Sequence, residues 1–384
     1  MAVRSRLNVV TALGLAQTLA WASSYYLPAI LADPISASIK VPRSWVFAAF
    51  SMALLIAAFA GPAVGRFVDR HGGRGVLALS NVVLAAGLFG LAAANSVAAL
   101  FGAWAVLGIG MALGLYDAGF AALTALYGRG ARGPITGVTL FAGFASTVSW
   151  PVSTLLNDAL GWRETVMVWA ALNLLLGLPL NRFVLPSAGM RPQLSAAAAK
   201  VGWEPRKEMV LLAFVFAAAW FVTGAMATQL PALLERAGST PAQAVAAASL
   251  VGPAQVAARV AEFIVLRRIH PLVSARLAAA LHPVGAALFV LIGAPAAPLF
   301  VVFYGAGNGL LTIARGTVPL AVFGPVGYGE RTGLLGAPAR AAQAFAPLLF
   351  GLLLDSLGLW AVAISVGLCL AALAALFGLS AKRD

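Results

Sequence analysis

Two arginines lie deep inside long apolar stretches of this sequence. Arg259 comes eight residues before Arg267, about 12 Å along a helix, and Arg340 comes nine residues after Arg331. A charge at such a depth in a bilayer costs about 2.5–3.5 kcal/mol on insertion scales, so it normally faces a cavity or a partner. Because a guanidinium offers a fork of donors that matches a carboxylate, Arg259 and Arg340 are predicted to attract an anion. The alternative is that they form structural ion pairs.

Two acidic side chains lie in similar apolar surroundings. Glu262 follows Arg259 by about one helical turn, and Asp117 lies twelve residues before Arg129. A carboxyl group in such a place can take up and release a proton, so Asp117 or Glu262 is predicted to serve in proton coupling or gating. For Glu262 the alternative is a structural pair with Arg259. The sequence leaves both interpretations open.

Amide and aromatic side chains near the middle of apolar runs supply further candidate contacts for a bound solute. In the first run three of them recur every four residues, which places them on one side of a helix. Two more lie four residues apart in a later run, and a tryptophan lies in the run that opens the second half. The predicted lining residues are Gln17, Trp21, Tyr25, Trp220, Tyr304 and Asn308.

The composition predicts that these residues are carried by membrane-spanning helices. Hydrophobic residues make up 61% and charged residues 10% of the 384 positions, and the mean hydropathy is +0.94. A soluble domain has about 45–50% apolar and about 25% charged residues. The single cysteine, Cys369, leaves no intrachain disulfide or cysteine metal cluster. No phosphate-binding loop or dinucleotide fingerprint is present in the sequence, so no cofactor, metal or enzyme activity is expected.

Twelve apolar runs are long enough to cross a bilayer, which takes about 20 residues. Pro28 and the pair Asp33-Pro34 are predicted to bend or end the first of them. The sequence therefore predicts an all-α membrane protein with two six-helix bundles, residues 1–186 and 208–384, joined by a cytoplasmic linker at 187–207. The predicted spans are 7–33, 44–66, 75–94, 97–123, 134–157, 163–185, 208–233, 241–265, 273–293, 297–319, 332–354 and 359–379.

The distribution of basic residues predicts the orientation of these spans. With the N-terminus inside, 18 Lys and Arg residues fall in loops on that side and 4 fall in loops on the other. Cytoplasmic loops carry the excess of Lys and Arg, so both termini are predicted to be cytoplasmic. The same distribution explains the net charge of +13 without a nucleic-acid partner.

The loop after the second predicted span carries a recognisable motif. It reads GRFVDRHGGR from Gly65 to Arg74 and resembles the G-x-x-x-D-R-x-G-x-R signature of the major facilitator superfamily. The resemblance implies the twelve-helix fold of that superfamily and transport by alternating access. It also implies a gating role for Asp69, Arg70 and Arg74, with Asp69 facing the positive N-terminal end of the eleventh helix.

Two shorter stretches give a narrower resemblance. Gly161-Trp162-Arg163 and the stretch from Gln255 to Arg259 resemble the monocarboxylate and oxalate-type carriers of the superfamily. In that branch an acid precedes the arginine by four residues, and the arginine holds the carboxylate of the substrate. Here Arg259 matches the arginine, and Gln255 stands in place of the acid.

These observations predict a secondary active transporter, a symporter or antiporter, in a bacterial inner membrane. Its expected partners are a small-molecule substrate, a coupling proton and the lipid bilayer, and it is expected to act as a monomer. The leading substrate class is a small organic anion such as a monocarboxylate. The alternative is efflux of a toxic compound, either a drug or a metalloid such as an arsenical.

Overall fold

A computed structural model describes residues 5–186 and 207–379. Within these ranges the regular structure is entirely helical. Contacts divide the chain into two units, Met1–Gly202 with Phe323–Ala337 and Trp203–Val322 with Pro338–Asp384. The predicted linker at 187–207 lies outside the described residues except for Lys207, so its role as the boundary between two bundles stays a prediction.

Nine helices precede the undescribed segment at 187–206. Two π-helical turns, Asn173–Gly177 and Leu180–Val184, continue the last of them. The helices are α1 (Arg6–Ala22), α2 (Leu27–Ile39), α3 (Arg43–His71), α4 (Gly73–Ala92), α5 (Val97–Gly114), α6 (Tyr116–Tyr127), α7 (Arg132–Gly143), α8 (Ala145–Leu160) and α9 (Trp162–Leu172).

Seven helices follow that segment. The first residues of the sixth, up to Ala337, cluster with the first unit, and the remainder clusters with the second. The helices are α10 (Lys207–Arg236), α11 (Pro241–Ala248), α12 (Val251–Ile264), α13 (Pro271–Ile292), α14 (Ala297–Phe323), α15 (Tyr328–Leu357) and α16 (Ala361–Phe377).

Nine stretches of the described residues are long and apolar enough to cross a membrane. Two of them, Val97–Leu160 and Tyr328–Phe377, contain 64 and 50 residues, more than one crossing of about 20 residues uses. The chain is thus a multi-pass membrane protein, as its composition predicts. The number of twelve spans and the cytoplasmic position of the termini remain predictions.

The first predicted span, 7–33, is interrupted earlier than its prolines predict. Helix α1 ends at Ala22, and α2 begins at Leu27 with Pro28 in its first turn. A proline is tolerated there because the first turn has no intrahelical acceptor for the missing N–H. Pro34 lies inside α2, which continues to Ile39, so of the two expected effects of Asp33-Pro34, a bend or an end, the structure contradicts the end, and the bend stays a prediction.

The predicted span at 97–123 is also interrupted. Helix α5 ends at Gly114 and α6 begins at Tyr116, with the intervening Leu115 in an extended conformation. Such a break leaves backbone carbonyls without intrahelical donors. The side chain of Gln17 on α1 supplies one donor, because its Nε2 atom lies 2.6 Å from the carbonyl oxygen of Gly114. The break is therefore stabilised by a helix from elsewhere in the sequence.

Candidate functional site

In the second unit, two glycines of α14 bring its backbone close to that of α12. A β-carbon on Gly305 would lie 2.8 Å from the carbonyl oxygen of Val251, and one on Gly309 would lie 2.5 Å from that of Gln255. Because glycine lacks a β-carbon, the two helices can approach this closely. The residue numbers of the two contacting pairs increase in the same direction along both helices, so α12 and α14 run parallel at this contact.

Arg259 extends this contact by one turn. Its side chain is only 6% exposed, and its Nη2 atom lies 3.4 Å from Oγ1 of Thr312 and 3.5 Å from Oε1 of Gln255. Both distances are long for hydrogen bonds, which cluster near 2.9 Å. The Nε atom of Arg259 is buried and has no hydrogen-bond partner in the described part of the chain. The guanidinium is therefore held by neutral oxygens that leave its donor capacity partly unused.

Glu262, one turn further along α12, contacts a different helix. It is 1% exposed, and its Oε2 atom accepts a hydrogen bond of 2.8 Å from Oγ of Ser274 on α13. The contacts of Arg259 are with Gln255 and Thr312 instead. The structural pairing of Arg259 with Glu262 is therefore absent from the described contacts, because the two side chains turn toward different neighbours.

Helix α10 lies along the same face of α14. Thr223 Oγ1 lies 3.0 Å from Oδ1 of Asn308, and the guanidinium carbon of Arg315 lies 4.7 Å from the centre of a Trp220 ring. In these two contacting pairs the residue number falls along α10 as it rises along α14, so the two helices are antiparallel. The contacts bring the predicted residues Trp220 and Asn308 to one seam of the second unit.

Two residues of this face were missed by the sequence analysis. Thr312 and Arg315 follow Asn308 by four and seven residues, the spacing of one helix face. Both are buried, at 7% and 5% exposure. The periodicity that led to Asn308 applies equally to them and was the signal available in the sequence.

The other predicted residues of the second unit lie in different surroundings. Tyr304 is 5% exposed in the hydrophobic core, and its ring lies 5.9 Å from that of His282 on α13. Arg340 is buried on α15 at 6% exposure. Tyr304 thus packs against α13 within this core.

In the first unit, the predicted residues of α1 and of the turn that follows it gather beside the break between α5 and α6. The ring centre of Trp21 lies 5.1 Å from that of Tyr25 and 4.8 Å from that of Tyr116. Asp117 follows Tyr116 in the first turn of α6 and is 7% exposed. With Gln17 at the break itself, the structure brings four of the predicted residues of this unit into one region: Gln17, Trp21, Tyr25 and Asp117.

Asp69 binds the N-terminus of α15. Its two carboxylate oxygens accept hydrogen bonds from the backbone N–H groups of Gly329, at 2.8 Å, and Glu330, at 2.9 Å. Both groups belong to the first helical turn, where N–H groups lack intrahelical acceptors and the helix dipole favours an anion. A β-carbon on Gly333 would lie 2.6 Å from the carbonyl oxygen of Gly61 on α3, so the two backbones are in close contact.

The motif from Gly65 to Arg74, predicted as a loop, lies at the end of α3 and the start of α4, with only Gly72 between the two helices. Its basic residues make fewer described contacts than Asp69. Arg74 Nε donates to the carbonyl oxygen of Arg182 at 2.6 Å, and Arg66 Nε lies 3.5 Å from Oε1 of Glu330. Arg70 is exposed. Within the described residues, Asp69 and Arg66 contact α15, and Arg74 contacts the π-helical turn that ends the first predicted half.

Comparisons with known proteins agree with this architecture. A family model described as Major Facilitator Superfamily matches residues 11–325. The chain has the fold of the human organic anion transporter MFSD10 (TETRAN), with a TM-score of 0.74 and 18% identity over 97% of this chain and 100% of that one. It also resembles FucP in the outward conformation, with a TM-score of 0.77 and 13% identity over 99% and 100% of the two chains.

A third similar structure is the proton:xylose symporter XylE bound to 6-bromo-6-deoxy-D-glucose. Its TM-score is 0.72, with 14% identity over 97% of this chain and 95% of that one. No curated protein matches the sequence. At such identities the structural likeness shows the fold and leaves the solute open.

Proposed function

This chain belongs to the major facilitator superfamily, and we propose that it transports a small organic anion across a bacterial inner membrane by alternating access. The family and the fold are those of multi-pass secondary transporters, which are carriers rather than enzymes. A monocarboxylate is the substrate class that the narrower resemblance to monocarboxylate and oxalate-type carriers favours.

The observation that carries this proposal is the environment of Arg259. A buried guanidinium remains protonated and has five N–H donors. Those of Arg259 reach only two neutral oxygens at 3.4 and 3.5 Å, and Nε has no described partner. An anion that accepts from two of these donors would provide the charge-assisted contacts that the protein leaves unmade.

The proposal also assigns roles to the other candidate residues. We assign Arg340 as a second candidate anion contact. We assign the gating role to Asp69, Arg70 and Arg74, and Asp117 or Glu262 is the candidate for a coupling proton. The residues proposed to line the solute path are Gln17, Trp21, Tyr25, Trp220, Tyr304 and Asn308.

Anion binding by the purified protein tests the proposal. Thermal stabilisation would be measured with monocarboxylates, dicarboxylates and common toxicants, for the wild type and for Arg259→Lys, Arg259→Gln and Arg236→Gln. Arg236 is the matched control, since it pairs with Asp355 at the far end of α10. We expect stabilisation of the wild type and the control by at least one carboxylate.

The two Arg259 variants distinguish bidentate binding from a simple positive charge. Arg259→Lys keeps the charge and loses the fork, so affinity should fall about tenfold or more, as loss of one charge-assisted hydrogen bond predicts. Arg259→Gln should abolish the stabilisation. Wild-type anion binding by Arg259→Gln would remove this residue from the site, and stabilisation by toxicants alone would favour the efflux alternative.

A further inference from the structure

Two polar atoms of α1 are buried without a hydrogen-bond partner in the described part of the chain. They are Oε1 of Gln17 and Nε1 of Trp21. Gln17 is 1% exposed, and its Nε2 donates to the carbonyl oxygen of Gly114 at 2.6 Å, which fixes the orientation of the amide because that carbonyl only accepts. Buried polar groups in proteins are nearly always hydrogen-bonded. An acceptor and a donor are therefore left for a partner outside the described residues.

Both side chains lie beside the break between α5 and α6. Gln17 and Trp21 are four residues apart, which is about 6 Å of helix rise on one side of α1. The amide of Gln17 contacts Gly114, the last residue of α5. The ring centre of Trp21 lies 4.8 Å from that of Tyr116, the first residue of α6. A β-carbon on Gly119 would lie 2.9 Å from Gln17 Nε2. The two side chains thus contact the same short segment of backbone.

Aromatic rings surround Trp21. Its ring centre lies 5.1 Å from that of Tyr25 and 6.1 Å from that of Tyr26, in addition to the contact with Tyr116. The ring centre of Phe50 on α3 lies 5.4 Å from that of Tyr25. Aromatic side chains favour offset or edge-to-face contacts with further rings. The first unit therefore presents an aromatic surface next to the two buried polar atoms.

An open cavity on α8 continues this surface. Its volume is about 560 Å³, within the range of about 300–1,000 Å³ that small-molecule sites occupy. Trp150 is 44% exposed at this cavity, and its ring centre lies 6.3 Å from that of Tyr26. The cavity thus offers space for a flat ring beside the aromatic surface. Its lining residues are Ser146, Thr147, Trp150, Pro151, Thr154 and Leu155.

The two buried atoms select the polar group of a ligand. Gln17 Oε1 requires a donor, and Trp21 Nε1 requires an acceptor. A carboxylate only accepts and an ammonium group only donates, whereas a hydroxyl group does both with one oxygen. A hydroxyl group is also uncharged, so it can be buried among aromatic rings once its hydrogen bonds are made. This region therefore fits a hydroxyl group carried on a flat apolar ring.

We propose that Gln17 and Trp21 bind a hydroxyl group of the solute and that the transported acid is an aromatic hydroxy acid. This inference rests on the proposed function, which supplies the carboxylate of that acid. Gln17 and Trp21 determine specificity for the hydroxylated acid over the same acid without the hydroxyl group. The aromatic surface determines specificity for a flat ring over a saturated one.

Acids of equal charge test this specificity. The dissociation constants of benzoate, its monohydroxy isomers and cyclohexanecarboxylate would be measured by calorimetry on the purified full-length protein. The net contribution of the hydroxyl hydrogen bonds predicts that the wild type prefers at least one hydroxybenzoate over benzoate by about fivefold or more. Ring contacts predict a preference of about threefold or more for benzoate over cyclohexanecarboxylate.

Trp21→Phe keeps an aromatic ring and removes the indole N–H. It should lower the preference for the hydroxybenzoate to about twofold or less and retain the preference for a flat ring. Gln17→Leu should lower the hydroxyl preference in the same way. Because Gln17 also stabilises the helix break, Trp21→Phe decides the question if Gln17→Leu does not fold.

Two further variants are controls for these measurements. Trp45→Phe makes the same change at a side chain that is 44% exposed on α3, and it should retain both preferences. Arg259→Gln should weaken benzoate and the hydroxybenzoate equally, because both acids carry the same carboxylate.

The outcomes separate this inference from the proposed function. A wild type that binds benzoate as tightly as every hydroxybenzoate would overturn this inference and leave the role of Arg259 unaffected. A hydroxyl preference that Trp21→Phe does not change would also overturn it, since the two buried atoms would then bind only water. Tighter binding of cyclohexanecarboxylate than of benzoate would overturn the aromatic assignment. A wild type that binds none of these acids, or that binds glucose more tightly than any of them, would overturn the proposed function and this inference with it.

Discussion

Asp69 and Glu330 are 261 positions apart in the sequence, yet Asp69 Oδ2 accepts a hydrogen bond of 2.9 Å from the backbone N–H of Glu330. The other oxygen accepts from Gly329. An asparagine keeps one acceptor and loses the charge, which removes a contact worth about 1.5–3 kcal/mol together with the helix-dipole interaction. Asp69→Asn should therefore slow transport about tenfold and leave substrate affinity within a few-fold.

Transport rates in proteoliposomes and binding constants in detergent would be measured side by side. Asp33→Asn is the control, because Asp33 forms an exposed pair with Arg43 at 3.1 Å, and such pairs contribute little. Full-rate transport by Asp69→Asn would argue against a gating role for this residue.

The close contact between α3 and the start of α15 gives a steric prediction. A β-carbon on Gly333 would lie 2.6 Å from the carbonyl oxygen of Gly61 and 2.7 Å from Cα of Pro62. Backbone atoms cannot rotate away, so Gly333→Ala should lower thermal stability by about 1–3 kcal/mol and slow transport. Gly75→Ala on α4 is the matched control, since its β-carbon would meet nothing within 4 Å. Equal stability of the two variants would show that the helices separate without cost.

Gln255 lies 3.5 Å from the guanidinium of Arg259, so an acid at this position would compete with a bound anion. Gln255→Glu should raise the stability of the ligand-free protein and weaken carboxylate binding by about tenfold or more. Gln243→Glu introduces the same charge at the exposed N-terminus of α11, where the side chain completes a capping box, and should leave binding unchanged. Unaltered affinity in Gln255→Glu would place the anion away from Arg259.

Asp117 and Glu262 are the two candidates for the coupling proton, and amide substitutions separate them because an amide cannot release a proton. We expect Asp117→Asn to abolish accumulation driven by a pH gradient and to preserve exchange at equal concentrations. Glu262→Gln should retain both activities, since an amide oxygen can still accept the hydrogen bond from Ser274. Loss of accumulation in the Glu262 variant alone would transfer the role to Glu262. If accumulation by the wild type does not depend on the pH gradient, proton coupling is excluded.

The predicted orientation follows from the excess of basic residues in one set of loops. Reporter fusions after Arg191 and Asp384 should both be active only in the cytoplasm, and a fusion at Gly238 only in the periplasm. A periplasmic signal at Asp384 would contradict the twelve-span prediction.

Composition by itself determined that this chain is a membrane protein, because 61% hydrophobic residues leave too little polar surface for water to be the main solvent. The motif from Gly65 to Arg74 also indicated the superfamily correctly, as the family match over residues 11–325 confirms. Both signals are local, since they depend on residue types and short spacings. The narrower branch and the substrate do not follow from them and remain proposals.

The partners of the buried charges were decided only by the tertiary structure. Arg259 and Glu262 lie three positions apart on one helix, and this spacing alone made an ion pair between them plausible. Arg259 instead reaches Thr312 because the glycines of α14 bring that helix close to α12. The break at Leu115 was equally hidden, since the apolar run continues through it and Gln17, 97 positions away from Gly114, stabilises it. Contacts between distant segments depend on which helix faces pack together, and periodicity within one segment carries no information about that choice.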